Sequence, residues 1–255
     1  MLGYTQVGNG ETKVLVFHGW FGDYSVWEPT FKAMDTEQFS YLFIDYRGYG
    51  KSAALSGNYT MREIAADANE VVMSLGWTDI HVMGHSMGGL AMQRFILDCD
   101  ESITVKSAVG VTPVSGTGNA LDENAWALFE GAVESDQNRY GILDFTTGNR
   151  LSTTWLNGMV KASREQTNED AYRGYLNAWA KESFLDEISA IKIPMMVCVG
   201  EFDGAINADA MKATYLTWYE DCELEVIQNS GHYPMQETPV YLAGLAEGFM
   251  TKHTG

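Results

Sequence analysis

The sequence predicts a doubly wound α/β fold: a mostly parallel sheet with helices on both faces. Two observations carry that expectation. Short apolar runs, several of them rich in valine and isoleucine, alternate along the chain with longer amphipathic segments. One long interval then breaks the alternation with helical pattern alone. Strands that read as near-continuous apolar runs are buried on both faces, which calls for parallel pairing through helical crossovers.

Taken in order, the predicted strands are "KVLVFHG" (13–19), "SYLFIDY" (40–46), "DIHVMGH" (79–85), "VKSAVGV" (105–111), "PMMVCVG" (194–200) and "ELEVIQN" (223–229). Helical patterns fall at 23–36, 60–76, 87–98, 207–219 and 234–252. Thr60 with Glu63 reads as a capping box opening the second of these, and Gly76 as its C-terminal glycine. Pro234 suits the first turn of the last helix, where its missing N–H costs nothing. Residues 114–185 hold no strand pattern but amphipathic stretches such as "ENAWALFEGAV" and "EDAYRGYLNAWAKESF". The expected organisation is a core of residues 1–113 and 186–255 with a helical cap, 114–185, inserted between two strands. In open α/β sheets ligands bind beyond the carboxyl ends of the strands, so such an insertion lies over the site.

A hydrophobic content of 45% is ample for a packed core, and the net charge of −18 disfavours nucleic acid and anionic membrane surfaces as partners. Cys99, Cys198 and Cys222 are widely spaced and form no Cys/His cluster, so neither a disulfide framework nor a metal site is expected. A reducing cytoplasm fits these thiols. The N-terminus lacks a basic start followed by an apolar stretch, so no signal peptide is expected. No apolar window is long enough for a membrane span.

The chemistry centres on "GHSMGG", 84–89. A serine on a sharp strand-to-helix turn needs glycine two residues to either side, since side chains there collide. The alternative, a tight turn without chemistry, is weighed against what the rest of the chain supplies. A serine hydroxyl is a weak nucleophile and needs a base, itself oriented by an acid. His232 in "NSGHYPMQETP" follows the last strand, and Asp203 in "VGEFDGAIN" follows the one before it. Both therefore belong to the sheet edge that carries Ser86. Glu201 is the rival acid but falls nearer the strand itself. His85, His81 and His253 are poorly placed as bases. His18, ending the first strand, reads as an orienting group. An acyl-transfer intermediate needs two N–H donors for its oxyanion; the expected ones are Trp20, after "VLVFHG", and Met87, which opens the helix.

Together these residues resemble the α/β-hydrolase superfamily across nearly the whole chain. "HGW" is similar to its oxyanion-loop pattern, "IDYRGYGKS" (44–52) to its D-x-R-G-x-G-x-S segment, "GHSMGG" to its nucleophile elbow, "GEFD" to its acid loop and "SGHYPMQETP" to its histidine loop. The resemblance implies the family's fold, with the cap inserted after the family's sixth strand, and a triad of Ser86, Asp203 and His232. Within "DYRGYGKS", Asp45, Arg47 and Ser52 are expected to pin the loop by an ion pair and hydrogen bonds. Ser86 argues against haloalkane dehalogenases and epoxide hydrolases, which place aspartate there. The C–C hydrolases of meta-cleavage products typically carry asparagine where His85 stands and tryptophan where Tyr233 follows His232, which disfavours that resemblance. The motifs resemble cofactor-free haloperoxidases and small esterases better.

The cap carries Trp126, Trp155 and Trp179, which with Tyr233 are the expected substrate-binding residues. Its basic residues, among them Arg139 and Arg150, are spread among acids and read as a solvated surface. The expected activity is hydrolysis of carboxylic esters or lactones of small to medium, largely apolar substrates, with no cofactor and no metal. Its alternatives are C–C bond hydrolysis of a vinylogous diketone and a ligand receptor on the same scaffold.

Overall fold

The apolar runs pair as one seven-stranded sheet in the computed structural model, which describes all 255 residues. The strands are β1 (Tyr4–Val7), β2 (Thr12–Phe17), β3 (Phe39–Ile44), β4 (Asp79–His85), β5 (Thr104–Val111), β6 (Met195–Gly200) and β7 (Cys222–Ile227). Their order is β1-β3-β2-β4-β5-β6-β7; β1 runs antiparallel to β3 and every other pairing is parallel. The chain steps one way from β2 to β3 and then back to the other side of β2 for β4. The crevice at such a reversal is where open α/β sheets bind ligands. The register sets Phe17 level with Gly84, so the segments leaving β2 and β4 emerge side by side.

Val14, Leu15, Val16 and Phe17 are all essentially inaccessible, as are Ile80, Val82 and Met83 of the neighbouring strand. Each such side chain stabilises the fold by roughly 1.5–3 kcal/mol through apolar burial. His81 is buried among them, bonded through Nδ1 to Ser107 at 2.8 Å, and burial lowers its pKa to about 4.

Ten α-helices surround the sheet. The crossover helix α1 (Met61–Ser74) packs against α2 (Met87–Asp98). Thr60 caps α1 by accepting the Glu63 N–H at 3.1 Å, but the reciprocal half of the box is absent. The Glu63 carboxylate reaches instead to the Asn58 and Tyr59 N–H groups, tying down the turn before the helix.

Between β5 and β6 lie α3 (Glu123–Gly131), α4 (Asp136–Thr146), α5 (Thr153–Gln166) and α6 (Glu169–Lys181). Asp122, Ser135, Ser152 and Asn168 cap them in turn, each accepting an N–H of the first turn. Tyr175 of α6 packs against Tyr46, Tyr49 and Tyr59, and Glu182 accepts the first N–H of α1, seating this helical segment on the sheet domain.

Three expected helices differ. Segment 23–36 contains a 3₁₀ helix, Tyr24–Thr30, with Pro29 inside it. Segment 207–219 divides into α7 (Ala208–Ala213) and α8 (Tyr215–Trp218) at Thr214. Segment 234–252 divides into α9 (Pro234–Glu237) and α10 (Pro239–Lys252). Pro239 excludes the helical conformation at Thr238, which sits at φ −140° and ψ 52°. Pro234 thus opens a one-turn helix, and Pro239 opens the last one.

Candidate active site

Three side chains from three strand ends meet above the carboxyl edge of the sheet. Ser86 follows β4 and is the N-cap of α2, with φ 54° and ψ −120°, a conformation rare for any residue but glycine. The turn is sterically exacting on both sides. A side chain at Gly84 would lie 2.3 Å from the Gly88 carbonyl, and one at Gly88 would lie 2.5 Å from the Phe17 carbonyl. The second collision is with the end of β2 rather than with the elbow itself.

His232, in the loop after β7, places Nε2 3.0 Å from Ser86 Oγ. Its Nδ1 is 2.6 Å from Asp203 Oδ2, in the loop after β6. Asp203 Oδ1 accepts the Ala205 and Ile206 N–H groups at 2.8 and 3.0 Å, which fixes the carboxylate with Oδ2 aimed at the imidazole. Asp203 and His232 are both buried. Glu201 is exposed and bonds to the Asn229 N–H. Nδ1–H facing a carboxylate leaves Nε2 with a lone pair toward the serine, the tautomer that can take its proton.

The histidine loop is anchored by Glu237, whose buried carboxylate accepts the Gly231 and Tyr233 N–H groups on either side of His232. Arg150 completes that anchor with a 2.9 Å contact to Glu237 and a second bond to the Asn229 carbonyl. Arg150 is therefore not part of a solvated surface, and neither is Arg139. Arg139 is buried, bonded to Ala132 O and Ser163 Oγ, and stacked 4.0 Å over the Tyr172 ring, contacts that replace its hydration.

The loop after β2 lies against Ser86: a side chain at Gly19 would stand 3.3 Å from the serine Cβ. His18 Nδ1–H donates to the Gly19 carbonyl at 2.8 Å, and Nε2 accepts the Tyr46 N–H at 3.4 Å. Burial lowers the His18 pKa to about 4, so it acts here as a neutral strut. Pinning the Gly19 carbonyl fixes the planar peptide and turns the Trp20 N–H the opposite way. That N–H has no partner in the protein. The Trp20 indole stacks on Tyr172 at 3.9 Å and donates to its carbonyl at 2.7 Å, so the residue is also a core tryptophan. Met87, the first residue of α2, has no carbonyl one turn back within the helix to receive its N–H.

The next segment departs from expectation. Arg47 makes its ion pair with Asp67 of α1, two bonds of 2.7 Å, and not with Asp45. Asp45 is buried and accepts the Tyr24 and Lys51 N–H groups, while Ser52 accepts the Gly3 N–H. Burial pushes the Asp45 carboxyl from 3.8 up to about 6, with nearby Asp23 adding to the rise and Lys51 opposing it. A raised pKa means the folded chain binds this proton more tightly than the unfolded one. That stabilisation is present at low pH and is lost as pH rises from about 4 to about 6. The unfolding free energy of the wild type minus that of Asp45→Asn, from urea titrations, is expected to fall over this window and then level. A flat difference contradicts the assignment.

A mostly apolar cavity of about 50 Å³ opens on Ser86 and His232. Trp179 and Tyr233 line it, as expected, and so does the Trp20 side chain. Trp126 and Trp155 do not. Trp126 lies under the Lys181 ammonium, 4.0 Å from its ring, and Trp155 packs at 5.7 Å behind Tyr233. Phe21, Val114, Asn119, Phe129, Ile142, Thr146, Ala205 and Ile206 complete the wall. Ala205 and Ile206 were findable, being joined to the acid loop. Ile142 and Thr146 carried no signal, since helical spacing does not say which turn faces the sheet.

A Ser–His–Asp arrangement across the strand ends of such a sheet defines an α/β-hydrolase type of protein. Residues 14–245 match the Alpha/beta hydrolase family, to which the chain belongs. It is 24% identical over 249 residues to a non-heme haloperoxidase of Rhodococcus erythropolis, covering 90% of this chain and 88% of that one. An esterase from Exiguobacterium antarcticum superposes with a TM-score of 0.86 at 19% identity, covering 97% and 94% of the two chains. Est816, an N-acyl homoserine lactone degrading enzyme, superposes at 0.82 with 22% identity, covering 97% and 96%. No helix is long and apolar enough to cross a membrane.

Proposed function

We propose that the protein is a serine hydrolase of carboxylic esters and lactones with short acyl groups. The observation that carries this reading is the continuous contact from Asp203 through His232 to Ser86, 2.6 and 3.0 Å, at the floor of an apolar cavity. Ser86 Oγ attacks the acyl carbonyl as its proton passes to His232 Nε2, and Asp203 stabilises the imidazolium that forms. The Trp20 and Met87 N–H groups receive the oxyanion. The intermediate collapses as His232 returns the proton to the leaving alkoxide. Water, deprotonated by the same imidazole, then attacks the acyl-serine and regenerates Ser86 with release of the acid. The sequence of steps needs neither metal nor cofactor.

Within the expected small-to-medium range, the size of the cavity supports the small end. A cavity of about 50 Å³ walled by Phe21, Trp179 and Tyr233 favours a short acyl group or a small ring. Acetyl, propionyl and small lactone rings fit; long acyl chains require the wall to open. In a series of p-nitrophenyl esters, kcat/KM is expected to peak at acetate or propionate and to fall roughly tenfold or more by octanoate, one to three kcal/mol being typical of a misfitted pocket. A peak at octanoate overturns the size assignment. Turnover of a vinylogous diketone with none of esters or lactones overturns the reaction class, and binding without turnover of any of them points to a receptor.

A further inference from the structure

We propose that His85 is a positioning residue that holds the base, His232, in place through its main-chain carbonyl. The inference rests on the reading of Ser86 and His232 as nucleophile and base.

His85 is the last residue of β4, immediately before Ser86, and is buried. Its side chain does not enter the cavity. It points across the sheet edge, where Nε2 lies 2.8 Å from the His232 carbonyl oxygen. A carbonyl can only accept, so Nε2 carries the hydrogen and Nδ1 is bare. Nδ1 makes no hydrogen bond, and Gly19 leaves it room: a side chain there would come within 2.7 Å. Burial and the nearby His232 keep the His85 pKa well below the usual imidazole range, so the ring stays neutral.

A second donor converges on the same carbonyl. Thr112 Oγ1, just past β5, reaches it at 3.2 Å from a backbone at φ 42°. On the other side, the His232 N–H donates to the Thr146 carbonyl at 3.1 Å, from the C-terminus of α4. The backbone of His232 is thus gripped at both its polar groups, and its ring is gripped at Nδ1 by Asp203. Only Nε2 is left for Ser86. A base held this way meets the serine proton without a search, and a displacement of about 1 Å at such a contact costs on the order of 10²-fold in rate.

The test uses the intact protein and a fluorophosphonate probe, which reacts with an activated serine whatever the natural substrate. Labelling of Ser86 in the wild type and none in Ser86→Ala supports the underlying reading. No labelling of the wild type overturns that reading and this inference with it. With labelling established, His85→Leu is expected to slow it about 10–100-fold, and His85→Gln, which carries an amide N–H to a similar depth, to stay within about threefold of wild type. In p-nitrophenyl acetate hydrolysis kcat should follow the labelling rate while KM moves less than about twofold. His85→Leu at wild-type rate, His85→Gln no better than His85→Leu, or a change carried by KM overturns the proposal. If His85→Leu does not fold, Thr112→Val and His85→Gln decide: a loss of about threefold or more in Thr112→Val beside a near-normal His85→Gln supports it, and any other pattern overturns it.

Discussion

Ser86→Ala is expected to lower kcat for p-nitrophenyl acetate by about 10⁴-fold or more, to a residue owed only to binding and the oxyanion donors. The substitution deletes one oxygen, the atom 3.0 Å from His232 Nε2, and leaves Cβ on the same strained backbone. Serine at this position caps no N–H of α2 with its side chain, so its loss does not uncap the helix. Stability should therefore change by about 1 kcal/mol or less, the net worth of the one hydrogen bond to His232 that is lost. Steady-state kinetics beside a thermal melt separate the two effects. A variant that keeps more than about 1% of wild-type turnover removes Ser86 as the nucleophile.

The second large effect is expected at Asp203. Asp203→Asn should lower kcat by about 10⁴-fold through the tautomer of His232 rather than through lost packing. The Asn oxygen can still accept the Ala205 and Ile206 N–H groups that Oδ1 accepts in the wild type. Its NH₂ then faces His232 Nδ1, which must present a lone pair and move its hydrogen to Nε2. An imidazole with Nε2–H cannot take the serine proton. Because the three groups act as a unit, Ser86→Ala combined with Asp203→Asn should be little slower than Ser86→Ala alone. Glu201→Gln is the control and should leave kcat within a few fold, since Glu201 bonds only to a loop N–H at the surface. A large loss in Glu201→Gln with a small one in Asp203→Asn would reverse the assignment of the acid.

Much of this geometry was legible before any coordinates. Strand ends are marked by where apolar runs stop, so Ser86, Asp203 and His232 could each be placed on the carboxyl side of a strand. The edge strand β1, "YTQV", went unread because four half-polar residues at a sheet margin carry no burial pattern. The helix patterns at 207–219 and 234–252 ran on through Thr214 and Thr238, because apolar spacing persists across a backbone break. The divided last segment matters for the site, since the short α9 carries Glu237 back under His232. Arg139 and Arg150 read as surface because their partners are a ring, main-chain carbonyls and a carboxylate 87 positions away.

By itself, then, the sequence determined the class of fold, the order of the strand-end motifs and which side chains are chemically able to act. Those follow from local physics: burial of apolar runs, glycine where a turn admits no side chain, and the residue types that move protons. Tertiary structure alone decided that β4 lies beside β2, so that the Gly19–Trp20 loop touches Ser86. It alone decided which faces of α4 and α6 close the cavity, how small that cavity is, and that His85 turns from the nucleophile to the carbonyl of His232. Such choices depend on contacts between residues far apart along the chain, 147 positions in the case of His85 and His232. No local periodicity encodes them.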